Sequence, residues 1–301
     1  DVTQYGTQVN IYGGSLGSVF GGNNASGDIT GAIRVNVNKQ TEPGEGKPSC
    51  EMHIARVYGG GNHADSKAGH ISIGCTGGEN EGIDTVYGGA NQANIAGAIV
   101  LDITGGHIGN LFGGNNISGN ISDSITINVN WGDTCTHNYL GNIYGAGNLA
   151  QYKPTDTTIS SPIVNLINGT VSGNVYGGGY GIASDTKKGL VNAHPIVNIG
   201  DTTAAHTSGV VHVEGDVLGG GALAQVVGNT KVNILKGTVD GSVFGGGEGL
   251  ETNPVIALVM KNATVNMISG RVKGSVYGGG KVASVGYYNT YENANLPESC
   301  T

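Results

Sequence analysis

The chain has 301 residues, and 57 of them are glycine, which is more than twice the usual share of ~7%. Its 38% apolar and 12% charged residues exclude a disordered chain, because disordered chains combine low hydrophobicity with high charge. The net charge of −8 and the lack of clustered Lys and Arg argue against a nucleic-acid partner, and no apolar run reaches the ~18 residues of a membrane span.

A motif of one aliphatic residue, one aromatic residue and two glycines recurs nine times, and we call it the anchor. Leu218 replaces the aromatic residue once, and Ala146 replaces a glycine once. The anchors are Val19-Phe20-Gly21-Gly22, Val57-Tyr58-Gly59-Gly60, Val86-Tyr87-Gly88-Gly89, Leu111-Phe112-Gly113-Gly114, Ile143-Tyr144-Gly145-Ala146, Val175-Tyr176-Gly177-Gly178, Val217-Leu218-Gly219-Gly220, Val243-Phe244-Gly245-Gly246 and Val276-Tyr277-Gly278-Gly279. Recurrence at intervals of 25 to 42 residues indicates a repeat architecture.

A second element precedes most anchors and alternates apolar residues with asparagine. Its copies are Val9-Asn10-Ile11, Val35-Asn36-Val37, Ile127-Asn128-Val129, Val164-Asn165-Leu166, Val197-Asn198-Ile199, Val232-Asn233-Ile234 and Val265-Asn266-Met267. A period of two predicts a strand. The asparagines then share one outward row, where their amides are expected to form a stabilising ladder of the kind seen in cross-β structures; a ligand-binding row is the alternative. A third short strand is expected after each anchor, as at 222–226.

These elements predict an all-β fold, a right-handed parallel β-helix (β-solenoid) of about nine coils, each of 25 or more residues with loop inserts. Residues 1–286 form one domain, and 287–301 are a C-terminal extension or the start of the next segment. A propeller of nine blades would exceed the usual range, and the period of six of a left-handed hexapeptide helix is absent. Glycine reaches positive φ without steric strain, so the anchor glycines, including Gly178, are expected at sharp corners.

The aromatic positions of the anchors form the candidate binding stripe. Strict alternation places them on the face opposite the buried valines, where exposed rings can hold sugars or a protein partner. A structural stack, buried under the long inserts or turned inward at the bend, is the alternative, and the exchange of Tyr with Phe and Leu favours it because no hydroxyl chemistry is then required. The stripe consists of Phe20, Tyr58, Tyr87, Phe112, Tyr144, Tyr176, Phe244 and Tyr277.

Three of the four cysteines fall in related loop inserts, and no CxxC motif indicates a structural zinc site. Cys50 and Cys75 lie in successive coils, so a Cys50–Cys75 disulfide is predicted, which suits an oxidising compartment. The roles of Cys135 and Cys300 stay open. The chain starts at Asp1 without a methionine, and we expect it to be a piece of a longer protein.

No catalytic or metal-binding motif stands out, and no cofactor is predicted. Glycosidases need two carboxylates at a defined separation, but Asp102, Asp216 and Asp240 are single residues in strand contexts. The histidines show no HExxH spacing. The sequence therefore predicts a protein that is not an enzyme.

The Val-Tyr-Gly-Gly-Gly copies, the Val-Asn-Ile copies and the Gly-x-Val-x-Gly segments between them carry a resemblance. They resemble the glycine-rich repeat regions of large bacterial surface proteins of the adhesin-like parallel β-helix type. The similarity runs from about Val9 to Val285. It implies a secreted module at the bacterial cell surface, a rigid rod whose loops bind glycans or host proteins. The alternatives are a self-assembling fibre subunit and a carbohydrate-binding or polysaccharide-degrading β-helix of the lyase or tail-spike type.

Overall fold

The structure, a computed structural model, describes residues 6–39, 51–132, 135, 137–202 and 210–286. Cys50, Cys300 and the predicted extension 287–301 lie outside the described residues. Within them the chain is all-β, with no helix, and the strands form two long parallel sheets. This confirms the predicted fold class at the level of an all-β parallel architecture.

The first sheet collects the alternating apolar and asparagine segments. Its strands, in spatial order, are β1 (Thr7–Ile11), β3 (Ile33–Val37), β5 (Gly69–Ile73), β7 (Ile99–Ile103), β9 (Ile125–Asn130), β11 (Pro162–Val171), β13 (Ile196–Ile199), β16 (Thr230–Ile234) and β19 (Ala263–Met267). Equivalent residues pair directly, as with Asn10 and Asn36 or Asn233 and Asn266. Spatial order follows chain order, so each repeat adds one strand beside the previous one.

The second sheet collects the anchors. Its strands are β2 (Gly14–Phe20), β4 (Met52–Tyr58), β6 (Gly82–Tyr87), β8 (His107–Phe112), β10 (Tyr139–Tyr144), β12 (Val175–Tyr176), β15 (Val217–Leu218), β18 (Val243–Phe244) and β21 (Val276–Tyr277). In the later repeats the segment before the anchor forms separate short strands. These are β14 (Val211–Val213), β17 (Thr238–Val239) and β20 (Arg271–Val272), which follow the end of β11 in a parallel row.

The third strand expected after each anchor is present only as single bridges. Parallel bridges join Tyr152, Val191, Val226, Val259 and Val285 in sequence, without extended strands around them. The glycines and bends on either side leave too few extended residues for a longer ladder. The predicted short strand at 222–226 is therefore wrong in extent, although its residues do align from one repeat to the next.

Two hydrophobic clusters hold the repeats together. Valine, isoleucine and leucine side chains of both sheets form the larger one, and most are fully buried. The anchor aromatic residues and Leu218 form the smaller one. Both clusters run along the direction in which the repeats stack, so each repeat buries its apolar side chains mainly against its neighbours.

The anchor glycines lie at bends of the chain, as expected, but glycine is required there by close backbone approach and not by positive φ. Gly178, which was expected to have positive φ, does not have it; positive φ occurs instead at Gly169 and Gly237, upstream of the anchors. A Cβ added at Gly178 would lie 2.7 Å from the backbone nitrogen of Gly221 in the next repeat. The same crowding affects the first anchor glycine, since a Cβ at Gly145 would lie 2.2 Å from the carbonyl oxygen of Gly177. The predicted bend at the anchors is therefore present, the expected positive φ at Gly178 is wrong, and tight stacking explains why glycine recurs at these positions.

Candidate functional site

The predicted binding stripe is not exposed. Six of its rings, from Tyr58 to Tyr176 and Phe244, are only 2–8% exposed. Neighbouring rings stack with centroids 4.5–5.2 Å apart and planes within 12° of each other. Burial raises the pKa of Tyr87 and of Tyr144 to about 12. The row therefore packs as a buried stack, and only its last member, Tyr277, is about half exposed.

A second asparagine row, which the sequence pattern did not reveal, flanks the early part of this stack. Each member lies four residues after an anchor aromatic position, and each amide nitrogen donates to the amide oxygen of the preceding member over 2.8–2.9 Å. The Asn116 amide also donates to the Tyr58 hydroxyl over 3.2 Å. The members are Asn24, Asn62, Asn91, Asn116 and Asn148. Alignment of the anchors would have shown this row.

The predicted asparagine row on the first sheet is a hydrogen-bonded ladder. From Asn128 to Asn266 each amide nitrogen donates to the preceding residue over 2.8–2.9 Å, and Asn36 donates to Asn10 over 2.8 Å. Ser72 and Asp102 interrupt the asparagines, and Asp102 accepts from both Asn128 and His70. These amides bond mainly to one another, which fits a stabilising role.

Replacing Asn198 with alanine is expected to lower the free energy of unfolding by about 2 kcal/mol. Asn198 makes two ladder bonds, to Asn165 and to Asn233, and each hydrogen bond contributes about 1 kcal/mol. Asn266→Ala is the matched control, because Asn266 makes one ladder bond, and it should lose about 1 kcal/mol. Denaturant unfolding measures both losses. Equal losses would show that the number of ladder bonds does not determine the loss of stability, and no loss would show that the ladder does not stabilise the fold.

At Leu218 the aromatic stack is interrupted, and four polar side chains close the gap. The Tyr176 hydroxyl donates to Glu248 across the intervening repeat. Lys281 Nζ lies 2.8 Å from Glu248 Oε1 and 3.0 Å from Asp216 Oδ2. Burial works to lower the pKa of Lys281, but the two carboxylates outweigh it and the pKa is raised. These charges are paired with one another, and the cluster joins four successive repeats, which is a structural role.

An open groove of about 570 Å³ lies on the outer face of the early second-sheet strands. Its floor is low because small residues occupy the third position before each anchor aromatic residue. That position holds seven glycines, Ala55 and a single carboxylate, Asp84. The polar side chains of the lining come from Ser15, His53, Glu79, Asn80, Glu81, Asp84 and His107. Asp84 is thus an acidic side chain at a position where the repeat otherwise has almost none.

One wall of this groove is fixed by a buried ion pair. Lys39 Nζ lies 2.6 Å from both carboxylate oxygens of Glu81. Burial works to raise the pKa of Glu81, but the hydrogen bonds from Lys39 and from the Gly78 backbone outweigh it, and the net pKa is lowered. Glu81 therefore stays ionised and engaged, which leaves Glu79 and Asp84 as the exposed carboxylates of the groove.

The disulfide joins Cys75 to Cys135, so the predicted Cys50–Cys75 pair is wrong. Cys75 and Cys135 belong to repeats separated by one intervening repeat. That repeat has no insert here and passes beneath the bridge at Gly105, where an added Cβ would lie 2.4 Å from Cys135 Sγ. The short corner allows the insert before Leu140 to reach across one repeat. Sequence order alone favoured the adjacent repeat.

Among the residues that the structure describes, no group of three or more His, Cys, Asp or Glu side chains is placed to hold a metal ion. The described chain also contains no helix long and apolar enough to cross a membrane. Comparison with known protein families, with curated proteins and with solved structures found no match to the chain. The function is therefore argued from the geometry of the fold and the groove.

Proposed function

We propose that the chain is a non-enzymatic structural and adhesive module, a right-handed parallel β-solenoid that acts as a rigid rod. The observation that carries this proposal is the in-register pairing of both sheets from the first repeat to the last. The chain alternates between the two sheets and then contributes one bridge to the third row, as three walls of one coil would require. Parallel crossovers are right-handed almost without exception.

Internal pairing of polar side chains supports a passive role. The asparagine rows bond within themselves, and the charges near Leu218 pair with one another. Coils that rise ~4.8 Å each would give a rod roughly 40 Å long. We place the module outside the cell, at a bacterial surface; the Cys75–Cys135 bridge supports the extracellular part of this proposal, because disulfides persist in oxidising compartments.

The groove around Asp84 is the surface that we propose for recognition. It is concave, and small residues form its floor. Its carboxylates and imidazoles offer both hydrogen-bond donors and acceptors to the hydroxyl groups of a glycan. The carboxylates could also serve the alternative function, polysaccharide cleavage, so the same residue tests both.

Asp84→Ala is expected to abolish glycan binding on an array while leaving the thermal midpoint unchanged. Alanine already occupies the equivalent position of the preceding repeat, at Ala55, so the strand accepts it. Glu251→Ala, at an exposed acidic residue outside the groove lining, should bind as the unchanged chain does. Binding that survives Asp84→Ala would contradict the assignment of the groove. Release of reducing sugar that Asp84→Ala abolishes would favour the polysaccharide-degrading alternative.

A further inference from the structure

The last repeat exposes the side chains that the interior repeats bury. Val276 and Tyr277 of its anchor are 49% and 48% exposed, whereas Val243 and Phe244 at the equivalent positions are 0% and 8% exposed. Met267, Ile268 and Val282 of the same repeat are also exposed. Each interior repeat covers such a surface with the next repeat, so this face has the shape and chemistry of a repeat-to-repeat contact.

The first repeat carries the matching pattern. Val9, Asn10 and Ile11 align with Val35, Asn36 and Val37, and Phe20 aligns with Tyr58, in the register that relates all later repeats. Phe20 stacks on Tyr58 with centroids 4.5 Å apart, which occupies one face of its ring. A further aromatic ring on the other face of Phe20 would extend the row in the same direction.

The asparagine ladder has a direction, and its two ends are complementary. After Asn10, each asparagine amide nitrogen of the ladder donates toward the preceding repeat; Asn266 donates to Asn233, and its own oxygen accepts from no described residue. At the other end Asn10 accepts from Asn36 and from Gln8, while its amide nitrogen donates to no described residue. The acceptor at the last repeat therefore matches the donor at the first repeat, as in a head-to-tail contact.

Charge favours that contact over one between two last repeats. Described residues 261–286 carry Lys261, Arg271, Lys273 and Lys281 and no acidic residue, although Lys273 and Lys281 pair with acids of preceding repeats. Described residues 6–32 carry Asp28 and no Lys or Arg. Two last repeats would bring like charges together and would place acceptor against acceptor, whereas a last repeat against a first repeat avoids both.

We propose that the last repeat of one copy binds the first repeat of a second copy, so that both sheets, the aromatic row and the asparagine ladder continue across the junction. Such a contact is heterologous, since it joins two different surfaces. Heterologous contacts that do not close produce open filaments. This assembly goes beyond the proposed role of a single rod.

Gly278 provides a variant that separates assembly from folding. In the eight preceding anchors a Cβ at the first glycine would lie 2.1–2.6 Å from the carbonyl oxygen of the next repeat, but at Gly278 nothing lies within 4 Å. Alanine at this position therefore fits the isolated chain. In the proposed junction its Cβ would meet the carbonyl oxygen of Gly21 in the second copy, so Gly278→Ala is expected to block the contact.

The test is sedimentation velocity of the full chain over a range of protein concentrations. We expect the unchanged chain to form a concentration-dependent series of sizes, and Gly278→Ala to stay monomeric with an unchanged thermal midpoint. Gly78→Ala is the control, because an added Cβ there meets only the end of the Glu81 side chain at 3.8 Å, and it should assemble normally.

Mixing gives a second readout. The first repeat of the Gly278→Ala variant is intact, so it should bind the last repeat of the unchanged chain and terminate growth, shortening assemblies when added as a minor component. A chain that is monomeric at all concentrations would overturn the proposal. Assembly that Gly278→Ala leaves unchanged, or that the variant does not shorten on mixing, would also overturn it.

Discussion

Gly145→Ala is expected to lower the free energy of unfolding by about 3 kcal/mol or more. The added Cβ would lie 2.2 Å from the carbonyl oxygen of Gly177 in the next repeat, where backbone rather than a movable side chain forms the obstacle. Overpacking of a well-packed interior typically destabilises by about 1–3 kcal/mol. Because backbone forms the obstacle here, we expect a loss at the upper end of that range. Denaturant unfolding of the purified chain measures the loss.

Gly278→Ala is the matched control for this prediction. It is the same substitution at the equivalent position of the last repeat, where nothing lies within 4 Å, and it should change stability by less than about 1 kcal/mol. Both variants should be compared at protein concentrations at which the unchanged chain is monomeric. Equal effects at the two positions would show that stacking of the repeats is not what requires glycine.

Removing the Cys75–Cys135 disulfide is expected to cost about 4 kcal/mol of stability. The bridge closes a loop with a sequence separation of 60 residues, and the loss of chain entropy in the unfolded state grows with loop length. The double variant Cys75→Ser, Cys135→Ser avoids leaving an unpaired thiol, and its denaturant midpoint should fall accordingly.

Cys50→Ser is the control, because Cys75 is bonded to Cys135 and not to Cys50. It should leave the denaturant midpoint nearly unchanged. A large loss with Cys50→Ser together with little loss in the double variant would contradict the pairing. The comparison also separates the observed bridge from the pairing that sequence order favours.

The repeat pattern predicted the strands and the long asparagine ladder because both depend on local periodicity. Val197-Asn198-Ile199 alternates strictly, so Asn198 has to lie on the outer face, in register with Asn165 and Asn233. The anchors likewise placed Val175 and Val217 in adjacent strands. Features that repeat with a period of two residues, or from one anchor to the next, could therefore be predicted from the sequence.

The burial of the aromatic row could not be predicted from the alternation within one strand. Alternation placed Tyr58 opposite the buried Val57, but both are buried because the chain bends at the anchor glycines. The residue four positions on then returns beside a ring of another repeat, as Asn116 does near Tyr58, which lies two repeats earlier. A contact that depends on the bend and on a different repeat leaves no signal in the alternation of one strand.

The groove and the disulfide depended on exceptions to the repeat rather than on the repeat itself. Asp84 stands where the other repeats have Gly or Ala, and aligning the anchors would have shown it. The disulfide depended on how far one insert reaches across the short corner at Gly105. Loop conformation of this kind follows from packing against neighbours, which local sequence does not specify.

The central claim, that the repeats stack as the successive coils of a rod, is tested most directly by distances between spin labels on equivalent residues. Arg34, Thr126 and Thr264 lie in one register column of the first sheet, with three steps between the first two and four between the last two. Labels can be attached at low protein concentration in a chain that carries Cys50→Ser and Cys300→Ser and keeps the disulfide oxidised.

At ~4.8 Å per step, the rod predicts a separation of about 19 Å for Thr126 and Thr264 and about 34 Å for Arg34 and Thr264, as measured by double electron–electron resonance. The distance should rise in proportion to the number of intervening repeats. Distances that do not increase with that number, as in a ring of blades around a central axis, would contradict the stacked rod.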